Sequence, residues 1–440
     1  MRSVFLVLRI ISTKYGILFI MIRRLYAKTV MVIICLACVL GQGVSNVFAL
    51  DKTHFTIFVD GIEVVRYLDE DIVPNNHIQY EQIRERGING SLQEKGQILK
   101  RQIEEGKNYK QAIAYCFPKL KGVVSDLIKK EYVPSKESEI SFSPNERIMF
   151  KISKEKAGKR VDIDELYEKI AKAVIKGEEK VQIKTRKIEP IITLEDNEKL
   201  TYRRAVFSTD ASSSTSDRKY NVALALSKIN GSVIENEQVF SFNETVGKRT
   251  EENGYKTAKI IVDGAYVDGV GGGVCQASTT LYNCALLSDL CVEKVVGHSL
   301  RPSYVLPSFD AMVNSGGGDL VLKNETGGKV FIKSYFQNGK AVVEIYGKKN
   351  EYKIERKSVT TFLGDIPDDE IEEEETDVVE EIGSEKRVSF GQGVTKSEGY
   401  LVYYKNGVKV KEKLIRKDSY RKKSGKIIKK VESKKILNRT

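Results

Sequence analysis

The chain has 440 residues, of which 41% are hydrophobic and 30% charged. This composition suffices for two or three domains and is typical of a soluble extracytoplasmic body rather than a disordered or membrane-embedded chain. Of the 6 cysteines, two lie in the N-terminal segment, and the other four, Cys116, Cys275, Cys284 and Cys291, lack the paired spacing of metal ligands. We therefore predict no metal site and no cofactor, and we expect no disulfide framework.

The N-terminal segment, residues 1–49, has two apolar runs separated by the basic patch 23–28. No charged residue occurs at 29–50, and 47–49 offer a small-residue cleavage pattern. Two alternatives stay open: a cleaved signal peptide, or an uncleaved anchor that contacts the cytoplasmic membrane. In both cases the body is predicted to be extracytoplasmic, either secreted or membrane-anchored, which argues against nucleic acid as a partner.

The next region, residues 50–200, is predicted to be a small α+β domain. Its apolar residues alternate on both sides of Asp60-Gly61, a pair typical of a two-residue hairpin turn. Periodicity predicts five further segments: a helix at 107–130 interrupted near Phe117-Pro118, two short strands within 139–152, an amphipathic helix at 161–175, and a strand at 180–188.

Residues 201–348 are predicted to form a second α+β domain with mostly antiparallel strands. Hairpin turns are expected at Asp263-Gly264 and Asn338-Gly339. Between them, the glycine-rich stretch 269–273 joins a predicted strand to a helix that starts near residue 275. Several enzymes present a nucleophile on such a strand, glycine loop and helix.

The composition changes abruptly after this domain. Residues 349–384 are predicted to be an acidic, self-repelling linker, because 365–381 contain no lysine or arginine. Residues 385–440 form a basic tail, with a hairpin expected at Asn406-Gly407 and a solvated basic arm at 416–439. Anionic polymer, anionic lipid or the acidic linker itself could neutralise this charge; alternatively, the tail serves solubility alone.

Cys275 is the cysteine best placed for chemistry. It lies at the predicted helix N-terminus, where unpaired N–H groups and the helix dipole favour a thiolate. His298 and then Asp310 follow it, in the order nucleophile, base and orienting carboxylate. As a catalytic site, Cys275 would attack an acyl carbon, and Asp310 or Asp319 would fix the His298 tautomer. Backbone N–H groups near residues 273 and 276 would receive the oxyanion.

Two other interpretations of this site remain open. In the first, Cys275 is a small buried apolar residue, His298 is a core histidine, and Asp310 caps a turn. In the second, Cys275 and His298 hold a metal with another cysteine, although Cys284 and Cys291 are not spaced as chelating partners. The glycine loop and first helical turn supply the predicted ligand-binding residues: Gly271, Gly272, Gly273, Gln276, Ser278 and Thr279.

Three phrases carry a family resemblance: FSFNETVGKRTEENGY at 240–255, GGGVCQASTTLYN at 271–283 and HSLRPSYVLPSFDA at 298–311. Together they resemble the VanW family, named for its association with vancomycin-resistance loci, over 202–347. The phrase VDIDELYEKIAKAVIKGEEKVQIKTRKIEP, at 161–190, is similar to the peptidoglycan-binding domain that commonly precedes a VanW domain.

The resemblance implies a cell-wall-associated protein, and two functional classes follow. As a binding module, the chain would hold peptidoglycan or another anionic wall polymer, with a link to glycopeptide resistance and Cys275 in a structural role. As an enzyme, it would be a cysteine-dependent peptidase or transpeptidase that cuts or transfers a wall peptide through Cys275, His298 and Asp310. The order of these three residues is similar to that in transglutaminase-like and NlpC-like cysteine peptidases.

Overall fold

The computed structural model describes residues 52–69, 72–262, 265–374 and 381–431. The signal peptide or anchor expected at 1–49 lies outside these ranges. Within them the fold is mixed α+β with mostly antiparallel strand pairing, which confirms the predicted class. No helix in these ranges is long and apolar enough to cross a membrane.

The helices of the described ranges, in chain order, are α1 (His77–Glu85), α2 (Leu92–Glu104), α3 (Tyr109–Cys116), α4 (Leu120–Glu131), α5 (Ile163–Lys176), α6 (Leu194–Glu198), α7 (Ser216–Ile229), α8 (Phe242–Val246) and α9 (Val274–Leu287), with a 3-10 turn at Lys199–Thr201.

The strands are β1 (Lys52–Val59), β2 (Ile62–Asp69), β3 (Ile140–Phe142), β4 (Phe150–Ile152), β5 (Gly158–Arg160), β6 (Lys180–Ile183), β7 (Arg186–Ile188), β8 (Tyr202–Asp210), β9 (Val233–Ile234), β10 (Val239–Ser241), β11 (Thr257–Val262), β12 (Ala265–Val270), β13 (Cys291–Lys294), β14 (Val321–Lys323), β15 (Val330–Gln337), β16 (Lys340–Gly347), β17 (Lys353–Leu363), β18 (Glu370–Glu374), β19 (Glu385–Ser389), β20 (Thr395–Lys405), β21 (Val408–Tyr420) and β22 (Lys426–Lys430).

The chain divides into two compact units. The first contains Met1–Pro134 and Gly158–Ile188, and the second contains Ser135–Ala157 and Glu189–Thr440. Within the second unit, the β3–β4 hairpin presents Phe142 and Phe150 to Phe331 and Tyr346, with ring centroids 5.2–6.5 Å apart. These aromatic contacts explain why a hairpin expected within 50–200 belongs to the second unit.

The first unit is a small sheet covered by helices. Strand β1 pairs antiparallel with β2 and parallel with β6. The turn at Asp60-Gly61 has positive φ at both residues, as the sequence predicts for a two-residue hairpin. Helix α5 begins with the Asp162 side chain accepting from two backbone N–H groups, ends at Gly177 in the left-handed region, and buries Leu166, Ile170 and Val174 against the sheet.

The second unit is built around helix α9, which is buried along nearly its whole length. The antiparallel sheet β8-β16-β15-β9 packs against α9 and α7. Its central hairpin turns at Asn338-Gly339, again with positive φ at both residues. A second antiparallel sheet, β10-β14-β13, and the β11–β12 hairpin flank the helix.

The C-terminal region belongs to the same core. Strand β17 pairs with β20, which pairs with β21 through the predicted turn at Asn406-Gly407. Leu401 and Tyr403 of β20 are buried with the α9 core. The expectation of a solvated basic arm from residue 416 is wrong at its start, because Arg416 and Tyr420 of β21 are largely buried. Alternation along β21 directs these side chains inward, and the buried carboxylate of Asp310 neutralises the charge of Arg416.

The acidic segment also forms a strand. Glu370–Glu374 pairs in parallel with Lys426–Lys430, so acidic residues lie beside basic ones across the ladder. Glu372 forms an ion pair with Lys426, and Asp369 forms one with Arg387. The acidic segment thus supplies counter-charge to the basic tail, which was one of the alternatives that the sequence left open.

Candidate active site

The glycine loop joins β12 to α9 in the arrangement expected from the sequence. Gly271 and Gly273 have φ of 86° and 109°, a region that favours glycine. Gly272 must be glycine for a different reason, because an added Cβ would lie 2.7 Å from the carbonyl carbon and oxygen of Ala258 on β11. The loop therefore packs backbone against backbone, and Cys275 becomes the second residue of α9.

We expect Gly272→Ala to destabilise the fold by about 1–3 kcal/mol, because the new methyl group must displace β11 or the loop. Urea midpoints and thermal midpoints measure this loss. Gly316→Ala is the matched control, because its nearest contact is Asn314 Oδ1 at an ordinary 3.7 Å. Equal stability of the two variants would show that the close approach at Gly272 is not needed.

The polar side chains of the first turns of α9 face inward. Gln276 donates to the Asp210 carbonyl oxygen at 2.9 Å and is almost fully buried. Ser278 donates to the Ala311 carbonyl oxygen at 2.7 Å, while Thr279 Oγ1 accepts from the Ala311 N–H at 2.9 Å. These bonds clamp the segment around Ala311 against the helix. The expectation that Gln276, Ser278 and Thr279 bind a ligand remains a prediction.

His298 and Asp310 are paired at short range. Asp310 Oδ2 lies 2.7 Å from His298 Nδ1 and also accepts from the His298 backbone N–H at 2.7 Å. The His298 side chain is 6% exposed and Asp310 is fully buried. Asp310, rather than Asp319, therefore fixes the imidazole, while Asp319 accepts from Ser241 and from the Asn243 N–H.

The other oxygen of Asp310 is held by strand β21. Arg416 NH2 and the Tyr420 hydroxyl each donate to Asp310 Oδ1 at 2.7 Å. Arg416 NH1 also donates to the Asp310 main-chain oxygen at 2.6 Å, and Arg416 Nε donates to Asp418 at 2.7 Å. The carboxylate thus has a full set of donors, which a buried charge needs.

Cys275 and His298 act on each other electrostatically, because each side chain shifts the pKa of the other. Since His298 Nδ1 faces Asp310, Nε2 is the ring nitrogen that remains for the sulfur. Cys275 Sγ also lies 3.3 Å from the Val313 carbonyl oxygen. The residue as a whole is partly exposed to solvent.

The charges of the three residues support one another. Burial alone would raise the pKa of Cys275, but the hydrogen bond and positive charge of His298 lower it overall. Burial would lower the pKa of His298, but bonds to Asp310 and Cys275 raise it to about 9. Burial opposes ionisation of Asp310 too, yet His298 and Arg416 lower its pKa to about 2. These shifts all favour a thiolate–imidazolium pair beside an ionised carboxylate.

Sequence reasoning missed Arg416, Tyr420, Arg249 and Tyr304. The Arg249 side chain packs against Gly271, and its positive charge helps lower the Cys275 pKa. Burial, followed by the negative charge of Cys275, raises the pKa of Tyr304, which places this phenol near the sulfur. Tyr304 lies inside the third family-like phrase, so its place in that phrase was an available signal. Arg416 and Tyr420 carried no local signal.

The remaining cysteines do not join the site as metal ligands. Cys284 is fully buried, and its thiol donates to the Val343 carbonyl oxygen at 3.3 Å. Cys291 lies in β13, beyond the other end of α9. Across the described ranges, no group of three or more His, Cys, Asp or Glu side chains could hold a metal ion.

Comparison with known proteins finds two family matches within the chain. Residues 217–346 match the family described as "VanW like protein", and residues 79–182 match the family described as "Putative peptidoglycan binding domain". The chain carries a VanW-like domain. A peptidoglycan-binding-type domain precedes it, as the resemblance implied, and the two matches support association with the cell wall. Cys275, His298 and Asp310 all lie inside the VanW-like match, whereas Arg416 and Tyr420 lie beyond it.

Two curated relatives share part of the chain. The uncharacterized protein YoaR of Bacillus subtilis (strain 168) is 33% identical over 174 residues, covering 39% of this chain and 56% of the relative. The vancomycin B-type resistance protein VanW of Enterococcus faecalis (strain V583) is 26% identical over 151 residues, covering 32% of this chain and 55% of the relative. The chain therefore spans about half the length of each relative.

One solved structure also matches in part. The crystal structure of HP0197-G5 covers 18% of this chain and 99% of its own length at 15% identity. Its TM-score of 0.10 is too low to indicate a shared fold.

Proposed function

We propose that this chain is an extracytoplasmic, cell-wall-associated enzyme that cuts or transfers peptide bonds of wall stem peptides through Cys275. The observation that carries the proposal is the position of His298, whose Nδ1 lies 2.7 Å from Asp310 Oδ2 and whose charge lowers the pKa of Cys275. This arrangement matches the requirements for a nucleophile, a base and an orienting carboxylate.

The proposed reaction has two steps. The Cys275 thiolate attacks the carbonyl carbon, a sulfur–carbon bond forms, the carbon–nitrogen bond breaks, and the leaving amine takes the proton of the His298 imidazolium. Water or an acceptor amine then attacks the thioester and gives its proton to His298, and the thiolate departs. The N–H of residue 276 already donates to the Gly273 carbonyl oxygen at 2.9 Å, so other donors near the loop would receive the oxyanion.

Other parts of the chain support the proposal that the protein binds the cell wall. The match over 79–182 suggests that the first unit holds peptidoglycan, and exposed lysines suggest contact with anionic wall polymer. The name of the Enterococcus faecalis relative extends the proposal to glycopeptide resistance. Vancomycin susceptibility of a strain that lacks this protein would test that extension.

A second candidate is a binding protein without turnover. It is favoured by the contacts of Cys275 Sγ with the Val313 carbonyl oxygen at 3.3 Å and the Val313 N–H at 3.5 Å. In that role the sulfur would stabilise the loop against α9, and the wall would be bound by the first unit alone. Cys275→Ser would then chiefly lower the melting temperature.

The two candidates differ in one measurement. After incubation with purified stem peptides, intact-mass spectrometry should detect an acyl adduct on Cys275, and chromatography should detect shortened or exchanged peptides. Cys275→Ala and His298→Ala should lose turnover by at least about a hundredfold, whereas the control Cys291→Ala should keep it. Retained wall binding by all variants, with neither adduct nor product, would favour the binding protein.

A further inference from the structure

We propose that Arg218 and Arg249 form an anion-binding subsite beside Cys275 that receives a free carboxylate of the peptide substrate, within one residue of the bond that is cut. This inference rests on the proposed function. It adds that the peptide substrate carries a negative charge close to the reacting bond. The subsite would select peptides with a carboxylate near the reacting carbonyl over neutral ones.

Contacts place both arginines at the loop that carries Cys275. A Cβ added to Gly271 would lie 2.8 Å from Arg249 Cβ, and one added to Gly273 would lie 3.0 Å from Arg218 Cγ. Arg218 NH2 donates to Gln276 Oε1 at 3.3 Å, one residue after the nucleophile. Arg249 NH2 donates to Asn243 Oδ1. Neutral amide oxygens thus position both guanidinium groups.

Neither guanidinium has a carboxylate of its own. In the part of the chain that the structure describes, no ion pair joins Arg218 or Arg249 to an acidic side chain within 4.0 Å. Burial lowers the pKa of Arg249, and Cys275, Tyr255 and Asp319 in that order act against this shift. Asp319 already accepts from Ser241 and from the Asn243 N–H, so it is not a dedicated partner of Arg249.

The reaction would deepen this imbalance. When the Cys275 thiolate becomes a thioester, its negative charge leaves the sulfur, and Arg249 loses its main counter-charge. A substrate carboxylate at the two guanidinium groups would replace that charge, and planar carboxylates suit such donors. A phosphodiester could bind there as well, but it lacks the acyl carbon that the Cys275 chemistry requires.

The test uses two alkylating reagents of similar size, neutral iodoacetamide and anionic iodoacetate, on the full chain at low ionic strength. The ratio of the iodoacetate rate to the iodoacetamide rate at Cys275 reports local positive potential, because thiolate content affects both rates equally. We expect the ratio to fall about three- to tenfold in Arg218→Met/Arg249→Met, and to rise toward that of the wild type in Arg218→Lys/Arg249→Lys.

Arg203→Met is the charge-matched control. Arg203 lies seven residues before Asp210 on β8, roughly 23 Å along the strand from the end that contacts Gln276, so its removal should leave the ratio unchanged. An equal fall in both control and double variant, or no fall in either, would overturn the subsite. Slow iodoacetamide labelling of wild-type Cys275 would instead count against the proposed enzyme itself, so the two failures are distinguishable.

A protection experiment identifies the anion. N-acetylated alanyl-alanine dipeptides with a free C-terminus should slow iodoacetamide labelling of Cys275 more than their C-terminal amides, and the difference should vanish in the double methionine variant. Equal protection by both peptides would overturn the carboxylate assignment. Protection by inorganic phosphate alone would also overturn it, in favour of a phosphate-bearing wall polymer.

Discussion

Cys275 should react with iodoacetamide near pH 7 on the order of a hundredfold faster than Cys284 or Cys116 in the folded protein. The structure gives the reason: His298 lowers the pKa of Cys275, whereas burial raises the pKa of Cys116 to about 11 and that of Cys284 further. Partial exposure of Cys275 adds to the difference. Mass spectrometry of labelled peptides over time measures all of these rates at once.

The pH dependence separates labelling from turnover. Labelling of Cys275 should rise through a pKa below the ordinary 8.5 of a thiol and then stay high, because the thiolate persists. Turnover should rise in the same range but fall again near pH 9, where His298 loses the proton that the leaving amine needs.

His298→Ala provides the decisive comparison. Without the imidazolium, burial raises the Cys275 pKa, so labelling at pH 7 should fall at least tenfold and recover at high pH. His77→Ala is the matched control, because His77 begins α1 in the other unit. If Cys275 is unreactive in the wild type and unaffected by His298→Ala, the thiolate–imidazolium pair does not form in solution.

Arg416→Ala should be the most destabilising change at this site, by about 3 kcal/mol. Arg416 is 12% exposed, and its removal leaves the fully buried Asp310 carboxylate without its main positive partner. Denaturant unfolding measures the loss. Arg416→Lys should recover only part of it, because one ammonium group cannot reach both the carboxylate and the main-chain oxygen of Asp310.

Two controls make this prediction specific. Arg421→Ala removes a charge from an exposed residue just after β21 and should be nearly neutral. Adding Asp310→Asn to Arg416→Ala should restore stability, because the unpaired charge is then gone. Independent, additive effects of the two substitutions would show that the pair is not coupled.

The same residues set the response to pH. The folded-state pKa of Asp310, about 2, lies below its unfolded value of about 3.9, so its contribution to stability is present above pH 4 and is lost as pH falls toward 2. The pKa of His298, about 9, lies above its unfolded value of about 6.5. Its contribution is therefore complete below about pH 6.5 and is lost as pH rises through 9.

Local sequence signals predicted much of the fold and the centre of the site. Asp60-Gly61, Asn338-Gly339 and Asn406-Gly407 each form a turn with positive φ, because that geometry is fixed by two adjacent residues. The glycine loop before Cys275 was likewise a local signal, and it joins strand β12 to helix α9 as the sequence predicts. The order of the site residues offered His298 two candidate carboxylates, Asp310 and Asp319, and the structure pairs it with Asp310.

Long-range partners were not predictable in the same way. Arg416 and Tyr420 follow Asp310 by 106 and 110 residues, and their surroundings are so basic that no single arginine stands apart. The net charge of a segment does not reveal which side chain is buried. The composition of the acidic segment likewise predicts a self-repelling linker. Its pairing as strand Glu370–Glu374 was not predictable, because the partner strand Lys426–Lys430 lies more than fifty residues later.

The bonds from β21 to Asp310 also fix when the site can be complete. In a chain synthesised from its N-terminus, Cys275, His298 and Asp310 are all made before Arg416, which follows Asp310 by 106 residues. Until β21 is made, Asp310 lacks two of its donors, and non-local contacts of this span form late in folding. The full set of donors around Asp310 therefore forms only after β21 has been synthesised.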